Sequence, residues 1–392
     1  MEINKKNYSI KAHRSILDIS SKAWNACAGS NNPFVSHAFL STLEISGSAT
    51  SQTGWTAQHL TIEDSHDGII ACAPIYLKNH SYGEYVFDWA WADAYQRAGG
   101  RYYPKLQCAV PFTPVPGPRL LVKQTLKQEN QVELRRILAA SMIELAHMHN
   151  ASSVHVTFCE ESEWKELKNQ NYLQRIDQQF HWQNDNYASF EAFLDTLPSR
   201  KRKNIKKERK NVAEAGLEVK TLTGNEIPEN YWNSFYDFYQ STTDKKWGAN
   251  YLTRSFFSLL RQKMPNSIVM TTVTHRQQLV AAAFHLQGKT TLYGRNWGCS
   301  DEFKFLHFEA CYYQAIEYAI KHNIAHVQAG AQGGHKFQRG YLPARTFSTH
   351  HFLNNSFHSA VSEYLLNETQ AIQSEIIKLN AVSPFKKSAK IN

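Results

Sequence analysis

Ten residues, Gly330-Ala-Gln-Gly-Gly-His-Lys-Phe-Gln-Arg339, bring an amide, an imidazole, an ammonium and a guanidinium into one short stretch. The glycines let backbone N–H groups approach a ligand closely, as an anion-binding turn requires. Such a set could move a proton through His335. It could also hold an oxyanion or phosphate on Lys336, Arg339 and the N–H groups of Gly333 and Gly334, with Gln332 orienting substrate. Just upstream, Phe305 to Lys321 reads as a helix. At about 100° per residue Glu309 falls inside the apolar arc of Phe308, Tyr312, Ile316 and Ala319, with His307, a candidate substrate contact, on the far side. A carboxylate on a buried face either has its pKa raised toward that of a general base or is held ionised by a buried cation. Lys336 or Arg339 is the cation expected. Glu309, His335, Lys336 and Arg339 are thus the candidate catalytic residues. A first-turn Glu favoured only by the helix dipole is the plainer alternative.

Strands and helices in a repeated order must position them. In the second half three strands, Ser267 to Val273, Leu279 to Leu286 and Thr290 to Trp297, are followed by that helix and by the strand Ile324 to Gln328. Tyr293 and Arg295 lie on the strand facing the loop and are candidate substrate contacts. The first half runs in the same order: Gln58 to Glu63, Ile69 to Leu77 and Tyr85 to Trp89 as a meander, a helix Leu134 to His149, and a strand Ser153 to Phe158. The fold class expected is α/β (α+β), one unit used twice, each a mixed sheet flanked by helices. The 392 residues also exceed the usual size of a single core. The boundaries read as 1–185, 186–365 and a tail, 366–392.

The first half carries about forty extra residues between meander and helix. Four prolines from Pro111 to Pro118 make residues 94–119 a rigid loop, and a long ordered loop is usually functional. Asp93, Tyr103, Lys105 and Arg119 are its candidate substrate contacts. Thr242 to Gly248 adds Lys246 and Trp247, which could grip an anionic or aromatic group.

Between the halves, Ser199 to Lys210 holds eight basic residues and one acidic, most of the formal net charge of +9. As a helix it docks through Ile205 and Val212 and turns Lys203, Lys206, Lys207 and Lys210 outward. With Arg202 these form a cationic face without compensating acids. It suits a phosphate-rich partner, whether RNA backbone, a nucleotide-linked substrate or anionic lipid headgroups; a merely solvated face is the alternative. Without interleaved aromatics it reads as a phosphate binder and not a base reader.

Composition excludes other classes. With 42% hydrophobic and 20% charged residues the chain is globular. No apolar run reaches the roughly 18 residues of a membrane span, and no signal-peptide core opens the chain, so a cytoplasmic protein without integral membrane insertion is expected. Six scattered cysteines have no C-x-x-C spacing, and no histidine pair has zincin spacing, so neither disulfides nor a metal is expected.

The runs Tyr85 to Asp88, Trp91 to Tyr95, Gly99 to Leu106, Val110 to Val115, Lys201 to Arg209, Lys246 to Gly248, Leu306 to Glu309, Cys311 to Ile316 and Gly330 to Lys336 resemble the FemAB-like family of N-acyltransferases, assigned to peptidoglycan biosynthesis or recognition. The resemblance covers about residues 30 to 365. It implies two tandem GNAT-like domains, related to the Fem enzymes that move an amino acid from aminoacyl-tRNA to an amine of a cell-wall precursor. It implies no tightly bound cofactor, and gives the cationic helix a candidate ligand in tRNA. An acetyl-CoA-dependent GNAT carries an Arg/Gln-x-x-Gly-x-Gly/Ala loop that neither half contains, so aminoacyl-tRNA is favoured over acyl-CoA as co-substrate. The sequence lacks the heptads of the Fem helical arm. A non-catalytic protein binding RNA or a cell-wall precursor is the first alternative, and a metal- or cysteine-dependent hydrolase the second.

Overall fold

In the computed structural model, which describes residues 8–245, 250–330 and 333–386 (without the side chains of 243–245), the chain forms two units. The first comprises residues to Asp177 with Arg345–Ile372, and the second Gln178–Ala344 with residues from Gln373 on. This differs from a seam at 185 and a tail from 366. The division falls inside one strand, Leu173–Gln183, where no turn residue marks it, and the expected tail belongs to a 27-residue helix, Asn355–Ala381.

In the first unit, Tyr8–His13, His59–Asp64, Gly68–Ala73 and Leu121–Val122 form an antiparallel sheet. Trp55–Ala57, Ile75–Lys78, Lys105–Cys108, Ser153–Cys159 and the strand ending at Phe352 are laddered in that order. The helix Gln128–Met148 packs its stripe of Leu134, Leu138, Met142 and Leu145 into the core. The segment Tyr85 to Trp89 is not a strand. Tyr85 takes a left-handed conformation (φ 61°) that interrupts an extended run, and Trp89 begins the helix Trp89–Arg97. The third strand is Lys105–Cys108, so residues 94–119 are a helix end, a strand and a buried proline-rich connection, not one loop.

In the second unit, Leu217–Thr223, Ile268–His275, Gln278–Gln287 and Thr291–Cys299 are antiparallel neighbours. The last pairs in parallel with His326–Gln328, which pairs with residues 181–183. The duplication is therefore visible in pairing. In each unit a third strand pairs in parallel with the strand that follows the long helix (Lys105–Cys108 with Ser153–Cys159, Thr291–Cys299 with His326–Gln328). The basic run is the helix Ser199–Glu214, buried through Ile205 and Val212 and stopped at Gly216 (φ 72°).

All six cysteines are free thiols. Among the described residues no group of three His, Cys, Asp or Glu side chains could hold a metal ion, and no helix is long and apolar enough to cross a membrane.

Candidate active site

The helix carrying Glu309 is not regular. Phe305 has φ 67°, the helix begins at Leu306, and Glu309–Tyr313 makes a π turn before the α-helix resumes at Gln314. Glu309, Tyr312 and Tyr313 of this turn are all buried, and single π turns of this kind often sit at functional sites.

Glu309 is 4% exposed, but its cation is neither Lys336 nor Arg339. Arg209 of the basic helix donates Nε to Oε2 (3.0 Å) and Nη2 to Oε1 (2.9 Å), with Nη2 also 2.8 Å from Glu317 Oε2. The Gln314 amide adds a 2.8 Å bond to Oε1. Arg339 turns instead to the preceding residue of the same helix. Its Nη2 donates to Glu208 Oε1 (2.7 Å), Nε to the Tyr313 hydroxyl (2.8 Å) and Nη1 to the His335 carbonyl (2.8 Å), with its guanidinium 3.4 Å from the Phe308 ring centre. The Tyr313 hydroxyl donates to Glu208 Oε2. The basic helix thus exchanges charges crosswise: its Arg209 holds the π turn and its Glu208 holds the loop. Both flank Ile205 and Val212 on the docked face, away from the outward lysines.

The loop Gly334–Arg339 is a 3₁₀ turn. Gly333 has φ 119°, and a side chain there would meet the His335 ring within 2.6 Å, so glycine is required both for the backbone and for the imidazole's place. His335 Nε2 lies 2.8 Å from the Tyr312 hydroxyl, and the ring sits among His307, Phe308 and Tyr312. His307 is therefore on the site side, edge-on to Trp297 and Tyr312. Burial, then the charges of Arg339 and Lys336, lower the His335 pKa, so the imidazole is neutral at pH 7. Burial raises the Tyr312 and Tyr313 phenols above their ordinary value, keeping both protonated. Lys336 is 1% exposed, donates to the Gly330 carbonyl (2.8 Å), and is pushed down to about 8 by burial. Lys201, Asn204, Glu208, Tyr313, Gln338 and Arg339 line a cleft of about 230 Å³ between the basic helix and the loop.

Tyr293 is buried and Arg295 half-buried on the strand Thr291–Cys299. Gln332, Lys246 and Trp247 lie outside the described residues. The cationic helix is not free of acids: Arg202 pairs with Asp195 (3.1 Å), Lys206 with Glu191 (2.6 Å) and Lys210 with Glu214 (3.4 Å), while Lys203 and Lys207 are exposed. Asp195 and Glu191 come from the neighbouring helix Phe190–Asp195, which a wheel of one helix cannot display.

The four contacts expected in the first unit separate into different roles. Asp93 is exposed and paired with Arg97 (2.8 Å). Arg119 is fully buried and spends its guanidinium on the carbonyls of Val115, Gly117, Pro118 and Thr157, bracing the proline-rich segment from inside, so it does not face a substrate. Tyr103 shares a 2.8 Å hydrogen bond with Ser81. Lys105, fully buried, donates to Ser81 (2.8 Å), Glu84 (2.7 Å) and Asp88.

Known structures place this architecture. FemX aligns with a TM-score of 0.54 at 10% identity, covering 91% of this chain and 100% of that one. L-PGS from Bacillus licheniformis aligns at 0.51 and 9% identity over 90% and 95% of the two chains. The C-terminal domain of a putative lysylphosphatidylglycerol synthetase from Agrobacterium fabrum aligns at 0.54 and 7% identity over 91% and 97%. No curated protein sequence matches. The FemAB-like family model, described as peptidoglycan biosynthesis/recognition, matches residues 15–387; the chain belongs to that family, and it shares the fold of FemX and L-PGS.

Proposed function

We propose that the protein moves an acyl or aminoacyl group from an activated ester to a primary amine, with aminoacyl-tRNA preferred to acyl-CoA as donor and an amine of a cell-wall precursor as acceptor. The observation that carries the reading is the Tyr312–His335 pair, a protonated phenol 2.8 Å from a neutral imidazole, with the buried Lys336 next in the chain. Neutral His335 takes the proton from the amine as its nitrogen attacks the carbonyl carbon. The tetrahedral oxyanion is stabilised by the charge of Lys336 and by N–H groups of the Gly333–Gly334 turn. On collapse the C–O bond to the donor breaks, and Tyr312 protonates the leaving oxygen. Tyr312 then recovers a proton from the imidazolium, which restores both groups.

Glu309 is not free to act as the base in this scheme, because both its oxygens are engaged by Arg209. It fixes the π turn that presents Tyr312. The exposed Lys203 and Lys207 supply charge for a tRNA backbone. Family membership supports the cell-wall acceptor, and the FemX and L-PGS likenesses support the fold in which such transfer occurs. Purified protein given charged tRNA, or acyl-CoA, and an amine panel should release free tRNA faster than free CoA. Release from neither donor across the panel refutes the proposal, and release from acyl-CoA alone refutes the donor assignment.

A further inference from the structure

In the first unit, Lys78, Lys105, Gln107, His155 and His350 occupy one polar sheet face: Lys78 is paired with Lys105, Gln107 with His155, and His155 with His350. None is more than 1% exposed. Glu84 and Asp88, from the segment before the helix Trp89–Arg97, cover this face and are also buried. Burying two ammonium groups and two carboxylates costs more than an apolar layer of equal volume would.

Some acceptors in this layer remain without a partner among the described residues. Lys105 Nζ donates to Ser81, Glu84 Oε2 and Asp88 Oδ2, and the Tyr102 hydroxyl donates to the same Asp88 oxygen. Gln107 gives its amide N–H to Thr157. Glu84 Oε1, Asp88 Oδ1 and Gln107 Oε1 are left buried without a hydrogen-bond partner among the described residues, Glu84 Oε1 having the Lys78 ammonium at 3.9 Å. The same short segment holds three large exposed aromatics: Tyr82, Phe87 and Trp89, with Tyr82 and Trp89 edge to face at 5.0 Å. Unpartnered acceptors beneath a segment that also carries aromatic rings are complementary to a cation that brings its own N–H donors.

We propose that the first unit carries a binding site for a primary ammonium group, with Glu84, Asp88 and Gln107 as acceptors and Tyr82, Phe87 and Trp89 as its aromatic rim. The site needs no acyl donor, so it stands or falls separately from the transfer chemistry, although an amine is one of the substrates proposed above. Glu84 faces Lys78, Lys105 and Asp88. Burial pushes Glu84 up to about 7 and Lys78 down to about 7, while Lys105 holds Asp88 low against its burial and the histidines behind stay neutral. A bound ammonium favours ionised Glu84, so binding at pH 7 releases protons and tightens as pH rises through 7.

Calorimetric titration of the full chain with ethanolammonium and with glucosamine, in two buffers of different ionisation enthalpy, tests this, with N-acetylglucosamine as control. Saturable millimolar binding of both amines with proton release, and none of the control, is expected. Glu84→Gln should weaken binding at least tenfold. Trp89→Ala, at an exposed position, should weaken it about two- to fivefold with an unchanged melting temperature, and carries the test if the Glu84 variant does not fold. Ordered water alone would satisfy the oxygens if the native chain binds neither amine. That result overturns the site, as does equal binding of the control or native affinity in both variants.

Discussion

Removing Arg209 by Arg209→Ala should destabilise the second unit far more than removing an outward lysine of the same helix. Arg209 is 27% exposed on its side chain and Glu309 5%, and the two share a bidentate pair with Glu317 as a third member. Without Arg209 the Glu309 carboxylate keeps only the Gln314 amide. Stranding one member of a buried pair costs about 3–5 kcal/mol. Partial solvent access on the arginine side reduces this to roughly 2–3 kcal/mol. For a unit of this size that is about 5–10 °C in melting temperature. Scanning calorimetry with urea titration measures it, with Lys207→Ala, an exposed lysine, as a control expected within about 0.5 kcal/mol of native. The double change Arg209→Met with Glu309→Leu should recover most of the loss, since it leaves no buried charge unpaired, Glu317 being 38% exposed. A loss under about 1 kcal/mol for Arg209→Ala, or an equal loss for Lys207→Ala, refutes the assignment of Arg209 as the clamp on the π turn.

Three further changes separate chemistry from support. His335→Ala should lower the tRNA-release rate by about 10²–10⁴ with little effect on melting; because burial and two cations depress the imidazole pKa, the native rate should lose activity only as pH falls below 6.5, and an acid limb centred above that value would contradict the base assignment. Lys336 has a folded pKa of about 8 against about 10.5 when unfolded, so between those values the unfolded chain binds more protons and stability rises with pH. Lys336→Met should therefore melt above native at pH 7, with the gap closing toward pH 10; a pH-independent gap would remove burial of the charge as the cause. Arg119→Lys keeps the charge but cannot reproduce four bonds to carbonyls, and a loss of about 3 kcal/mol or more in the first unit is expected by urea titration, with a loss below about 1 kcal/mol counting against the bracing role.

The second unit was the more legible in sequence. Its strands fall within two residues of those read from alternation, because Ile268–His275 and Gln278–Gln287 are apolar runs bounded by turn residues. The burial of Glu309 followed from helical period alone. Its partner did not, because the period describes one helix and the pairing depends on two. Arg209 and Glu208 differ by about 100° around their helix and so reach different elements, the π turn and the loop. The π turn has no composition signal, and Tyr312 and Tyr313 are buried side by side within it.

The first unit failed to read for a different reason. Ser153 to Phe158 alternates Ser, His and Thr with Val, Val and Phe, the pattern of a strand with one wet face, yet every residue of Ser153–Cys159 is buried. Alternation reports which side chains share a face. It does not report whether water or a second polar layer meets that face. The covering layer here comes from residues 81–103, whose Glu84, Asp88 and Tyr102 resemble ordinary surface residues until Lys105 is placed beneath them. A Lys-x-Gln strand next to a Ser-x-His-x-Thr strand is costly to bury unless its donors and acceptors are matched. Three acceptors in this layer are not matched among the described residues. The physical demand they create is the same whether it is met by water or by an ammonium group, and the pH at which Glu84 gives up its proton is what distinguishes the two. Water leaves Glu84 titrating near 7, whereas a bound cation moves that titration to lower pH.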